Sequence, residues 1–200
     1  MNEAYIFDSI RSPRGKRKRG ALTEITPVSL LSKLMVFLQN KHQLDTAQID
    51  DIIIGCVMPV ADQGANIGKV SAQYSGWDVD VPSMQINRCC GSGLEAINLA
   101  SMKIRSGWEE LIVSGGIESM SRVPMGSDGG AMALEPKVSI QSKYVPQGIG
   151  ADLIATIEGF SRRDVDEYAH ESHKRASIAY KSGKFKSIVP IYDQNDLLIL

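Results

Sequence analysis

Residues 83–116 read SMQINRCCGSGLEAINLASMKIRSGWEELIVSGG. Residues 83–88 read as a strand that ends at a turn. Residues 91–105 read as a helix, with Leu94, Ile97, Ala100 and Ile104 along one side and Gly107 near its end, where a left-handed cap suits glycine. Leu111-Ile112-Val113 then reads as a buried strand running into a tight turn at Gly115-Gly116. Strand, helix, strand in immediate succession is the repeating unit of a parallel sheet covered by helices.

The same alternation extends outward. Residues 4–10 form a short apolar run that reads as a strand. Thr26-Pro27 is an N-cap followed by proline at the first helical position, and Leu31, Leu34 and Leu38 continue it as a helical stripe. Residues 51–57 hold Ile52, Ile53 and Ile54 in a row, the mark of a strand buried on both faces. Residues 63–74 suit a helix of small residues. The fold class is therefore α/β. After Met120 the texture changes: residues 121–150 are rich in Gly, Ser and Pro and have little periodicity. Ser161 and Asp164 then begin a helix carrying Val165, Tyr168, Ala169, Ser172, Ala176 and Ala179, with Gly183 as its stop. The chain ends on Leu197-Leu198-Ile199-Leu200, an apolar stretch expected to be covered by further chain or by a partner.

Two hundred residues suit one domain or one and a half, at roughly 100–200 residues per domain. Apolar content of 43% supports a buried core, and 22% charged residues is ordinary for a globular chain. A net charge of −1 offers no global field to hold nucleic acid or a membrane surface. No apolar run approaches the ~20 residues needed to span a bilayer, and the N-terminus lacks a secretory pattern. Cys56, Cys89 and Cys90 are odd in number, with two adjacent, a poor disulfide framework that points to a reducing cytoplasm.

The stretch Asn87-Arg88-Cys89-Cys90-Gly91-Ser92-Gly93-Leu94 places a cysteine pair where a strand yields to a helix with glycines in its first turn. Amides of a first turn lack helical partners, and they stabilise a thiolate by ~0.3–1 kcal/mol through the helix dipole. Cysteine acidity rises in such places, and the same amides suit a developing oxyanion. The competing reading makes both cysteines small buried hydrophobes, the usual fate of free cysteine.

The pattern Asn-x-x-Cys-x-Ser-Gly at residues 87–93, followed by Leu94-Glu95-Ala96, resembles the nucleophile motif of the thiolase family. Arg11-Ser12-Pro13 is similar to that family's opening Arg-Thr-Pro. Gly115-Gly116-Ile117-Glu118-Ser119-Met120-Ser121 is similar to its Gly-Gly-x-Glu-Ser-Met-Ser. Asp166-Glu167-Tyr168-Ala169 with Ser172-His173-Lys174-Arg175-Ala176 resembles the helix of its loop domain. The resemblance implies a layered α-β-α-β-α fold, with residues 1–121 as the N-terminal core and 122–200 as part of the loop domain. It implies acyl transfer between coenzyme A thioesters, with Cys90 as nucleophile and its backbone N–H as an oxyanion donor. It also implies no cofactor and no metal beyond the CoA-thioester substrate, and a homodimer or homotetramer. Gln147 and Gly148, in Pro146-Gln147-Gly148-Ile149, match the position of the family's substrate-side His-Met-Gly, with Pro146 and Gln147 as departures. The family's base histidine and second cysteine belong to its C-terminal half, and no matching motif occurs here. The expectation is a chain representing the N-terminal half, catalytically incomplete alone. A ketoacyl synthase-like condensing enzyme and a non-catalytic chain acting by association are the competing classes.

Three further features read as surface. His170 and His173, with Glu167, lie on one helix and lack the spacing of a four-ligand metal site. His42 stands at a polar helix end. Lys16-Arg17-Lys18-Arg19 reads as a solvated loop before it reads as a phosphate-binding patch. Lys69 stands where many relatives carry arginine.

Overall fold

Ile52, Ile53 and Ile54 are almost completely sealed from solvent, at 0%, 0% and 2% exposure. They belong to β1 (Asp51–Gly55), buried at all five positions. β-branched side chains suit such a strand, and burying each contributes ~1.5–3 kcal/mol. The structure, a computed structural model, describes residues 2–193, 195 and 197–200. β1 pairs in parallel with β2 (Ser83–Ile86) on one side and β3 (Ile112–Gly116) on the other. The order is β2-β1-β3.

The period of two along β1 distributes its side chains between two helical layers. Ile52 and Ile54 face α1 (Pro27–His42) and α2 (Ile67–Tyr74), in a cluster with Leu31, Met35, Ile67, Ala72, Trp77 and Val81. Ile53 faces α3 (Ser92–Ser106), where it meets Ala96 and Ala100. The architecture is thus layered α/β around a parallel sheet, as the alternation predicts.

These elements belong to one of two compact units, which runs to Asp128 and regains the chain at Ser187–Leu200. The sequence reading placed its boundary at 121/122. The returning segment joins the first unit because Ile191 is fully buried against Leu22, Ile25 and Leu30. The second unit, Gly129–Lys186, holds α4 (Ala131–Leu134), α5 (Pro136–Gln141), α6 (Gln147–Glu158) and α7 (Arg162–Lys181). Residues 121–150, expected to be loop, therefore contain two short helices and the start of a third. Ser161 and Asp164 form the expected reciprocal capping box at the head of α7.

Other expectations are corrected. Residues 4–10 are not a strand. Tyr5, Ile6 and Phe7 are 68%, 77% and 88% exposed, and among the described residues no neighbouring strand completes their ladder. A strand needs that neighbour more than it needs propensity. Only Arg11 pairs, donating its amide to Ser187 and accepting from Val189, both at 2.9 Å. Helix α2 starts at Ile67 rather than residue 63, because Ala61, Ala65 and Asn66 adopt left-handed backbone. The face of α3 turned to the sheet carries Ser92, Ala96 and Ala100, while Leu94 and Ile97 point to solvent. Strand β3 extends through Gly115-Gly116 instead of turning there.

Candidate active site

Three glycines bring the head of α3 onto the strand ends. A Cβ at Gly55 would stand 2.3 Å from the backbone carbon of Ser92 and 2.6 Å from the amide nitrogen of Gly93. A Cβ at Gly116 would lie 3.3 Å from the Cα of Gly93 and 3.2 Å from the carbonyl oxygen of Gly55. Main chain lies on main chain here, which only glycine permits. The small face of α3 and the straight run of β3 through its glycine pair have this one cause.

The turn before α3 is tied internally. Asn87 Oδ1 accepts the Cys89 amide at 2.9 Å. Ser92, buried at 3% exposure, accepts the Arg88 amide on Oγ at 3.0 Å and donates that hydroxyl to the Cys89 carbonyl at 2.6 Å. The Ser92 amide also donates to the Cys89 carbonyl, and the Gly91 amide to the Arg88 carbonyl. Within this knot Cys89 is left-handed, with φ of 47°. Cys89 and Cys90 are both exposed, so the buried-hydrophobe reading fails for them. Gly91 caps α3 without a side-chain bond, and among the described residues no backbone acceptor meets the amides of Gly93 and Leu94. An exposed thiol at the head of a helix with free amides has the setting of a nucleophile with oxyanion donors beside it.

The loop after β1 braces this turn. Asn87 Nδ2 donates to the Val57 carbonyl at 2.9 Å, and the Val57 amide donates to Glu118 Oε2 at 2.7 Å. Gln63, with no exposed surface, donates to Glu118 Oε1 at 2.7 Å and to the Met58 carbonyl at 2.9 Å, and accepts the Ser119 amide at 2.5 Å. Cys56 is the buried thiol. Burial, and behind it the charge of Glu118, push its pKa up to about 11. Asn87, Ser92 and Glu118 lie inside the motifs read from the sequence, yet their bonding roles were not visible there. Gln63 carried no signal at all.

The remaining candidates fall elsewhere. Gln147 and Gly148 form the first turn of α6 in the second unit and are exposed. Asp8 Oδ2 accepts from the ring nitrogen Nε2 of His42 at 2.7 Å, and Lys41 donates to the same carboxylate. His170 and His173 lie exposed on α7, and Glu167 there pairs with Arg163 at 2.7 Å. Lys69 donates to the carbonyls of Val79 and Val81 at 2.7 and 2.6 Å, pinning the entry to β2. The basic residues 16–19 are exposed, and the Lys18 amide donates to Ser121 Oγ at 3.2 Å. A concavity of about 540 Å³, lined by Gln48, Asp50 and residues 107–111, opens at the opposite end of the sheet from Cys90.

The family model for the thiolase N-terminal domain matches residues 4–196. The chain is 35% identical to the beta-ketoadipyl-CoA thiolase of Acinetobacter baylyi, covering 96% of this chain and 52% of that protein. It is 36% identical to the 3-ketoacyl-CoA thiolase of Bacillus subtilis, covering 96% and 49%. Its structure matches the acetyl-CoA acetyltransferase of Bacillus anthracis with a TM-score of 0.82 at 27% identity, over all of this chain and 54% of that one. The chain spans about half the length of the curated relatives it matches. It belongs to the thiolase family, and its residues correspond to that family's N-terminal domain.

Proposed function

We propose that this chain carries the acyl-accepting step of a thiolase, with Cys90 as the nucleophile. The Cys90 thiolate attacks the carbonyl carbon of a coenzyme A thioester. The bond to the CoA sulfur breaks, CoA leaves as its thiolate, and an acyl thioester remains on Cys90. The observation that carries this reading is the exposed Cys90 at the head of α3, beside the free amides of Gly93 and Leu94. Those amides suit the negative charge that develops on the carbonyl oxygen.

Transfer of the acyl group to acetyl-CoA or to free CoA completes condensation or thiolytic cleavage of a 3-ketoacyl-CoA. The names of the relatives support that reaction class. That second half needs a general base and a group to handle the proton on the substrate carbon. Among the described residues no histidine hydrogen-bonds to the turn at residues 87–92. The 200-residue chain is therefore expected to take up an acyl group without sustained turnover. Gln147 and Gly148, at the open first turn of α6, are proposed as contacts on the substrate side, and residues 122–200 as part of the family's loop domain. A homodimer or homotetramer acting in the cytoplasm on metabolic acyl thioesters belongs to the same reading. No helix among the described residues is long and apolar enough to cross a membrane.

The test is CoA release at about pH 8.5, where a thiol ionises without a base. One equivalent of CoA per chain is expected from acetyl-CoA, followed by a plateau, with the release abolished in Cys90→Ala and retained in Cys89→Ser. Release undiminished in Cys90→Ala would remove Cys90 from the role.

A further inference from the structure

We infer that Glu118 is a positioning residue for Cys90, acting through the loop after β1 rather than by touching the sulfur. The inference rests on the reading of Cys90 as nucleophile.

The line of contacts is short and complete. Glu118 follows β3 and is exposed, yet both of its carboxylate oxygens are engaged. Oε2 accepts the Val57 amide and Oε1 accepts Gln63 Nε2, both at 2.7 Å. The carbonyl of the same Val57 accepts Asn87 Nδ2 at 2.9 Å, and Asn87 Oδ1 accepts the Cys89 amide at 2.9 Å. Val57 is thus held at its N–H by Glu118 and at its C=O by the residue that fixes the cysteine turn.

Cys89 sits in left-handed backbone, which is disfavoured for a non-glycine residue and persists only where surroundings enforce it. Asn87, itself exposed, enforces it only while its other end is anchored on Val57. Glu118 also meets two donors at once, a task that suits a carboxylate. An amide in its place has one oxygen, so one of the two donors would face an NH2 group. Gln63 in turn is oriented by the Met58 carbonyl and the Ser119 amide, which fixes where its NH2 points.

By charge alone, a carboxylate disfavours a nearby thiolate. Removing it by Glu118→Ala would then quicken Cys90. Loss of positioning predicts the opposite sign, because the turn that carries Cys90 into the head of α3 is no longer held.

The measurement is the rate of Cys90 alkylation by iodoacetamide between about pH 6 and pH 10, with the thermal midpoint of each variant alongside. It uses the full 200-residue chain carrying Cys89→Ser, so that one exposed thiol reports. Glu118→Ala and Glu118→Gln are expected to slow alkylation about tenfold and to move the rate–pH midpoint upward, with Glu118→Asp restoring most of the loss. Faster alkylation with a lowered midpoint would show a charge effect and overturn the inference. A lowered thermal midpoint with unchanged Cys90 kinetics would show a purely structural role and overturn it too. Should Glu118→Ala fail to fold, the Gln and Asp variants decide between the same outcomes. Iodoacetamide reads the sulfur without acetyl-CoA, so a chain that takes no acetyl group sinks the proposed function while this inference keeps its own answer.

Discussion

Cys56 and Cys90 are thiols of the same chain with opposite surroundings. Cys56 is 1% exposed and packs with Ile54, Ile67 and Trp77. Cys90 lies open at the head of α3. Iodoacetamide at pH 8 should label Cys89 and Cys90 in the native chain and leave Cys56 untouched until unfolding. Mass spectrometry of the quenched protein checks this, and rapid labelling of Cys56 would contradict it. The raised pKa of Cys56 also has a sign. The folded state keeps its proton where the unfolded chain, at ~8.5, has lost it. Stability is therefore unaffected below that value and falls as pH rises toward about 11. Denaturant melts across that window should show the loss, and Cys56→Ala should flatten it. At this scale Gly91 and Gly93 direct attention to the cysteine pair, and the resemblance to the thiolase motif singles out Cys90 within it. The sequence did not disclose the hydroxyl of Ser92, whose partners Arg88 and Cys89 sit in the same turn and meet it only in that turn's conformation, or the amide of Gln63, whose partners Glu118 and Ser119 are brought near only by folding.

At the scale of elements, the junction of β1, β3 and α3 governs where Cys90 stands. Gly55→Ala places a methyl 2.3–2.6 Å from main-chain atoms that cannot rotate aside. A loss of ~1–3 kcal/mol or more is expected, read as a lowered denaturation midpoint, together with slowed alkylation of Cys90. Wild-type stability in Gly55→Ala would mean the helix head has room the geometry denies it. At the far end of α3, Lys103 is hydrogen-bonded to Asp51 and Glu109, whose side chains are only 8% and 11% exposed. Desolvation works against the Lys103 charge, but the two carboxylates outweigh it and raise the pKa. Lys103→Met leaves two largely buried carboxylates without their cation and should cost about 3 kcal/mol, measurable by denaturant titration. Strands and helices with strong periodicity were legible: β1 from its isoleucines, α1 from Thr26-Pro27, α7 from its capping box. Residues 4–10 misled because strand propensity was satisfied while a partner was not. Leu94 and Ile97 misled because α3 lies so close to the sheet that only serine and alanine fit beneath it.

For the molecule as a whole, protection should follow burial within each unit. β1 is buried throughout, whereas α6 and α7 contain no buried residue. Amide exchange should be slowest at Ile52, Ile53 and Ile54 and fast along α6 and α7, since opening free energies track packing. Exchange in α7 as slow as in β1 would contradict this. The layered α/β class was legible from alternation alone. The two short helices of residues 121–150 were not, because Gly, Ser and Pro mask elements only four to six residues long. The proposed chemistry turns on which sulfur takes the acyl group. Tandem mass spectrometry of the chain after acetyl-CoA treatment, fragmenting the peptide that contains Cys89 and Cys90, locates the acetyl group directly. The account predicts a single thioester-linked acetyl on Cys90, and an acetyl group carried by Cys89 or Cys56 instead would contradict it.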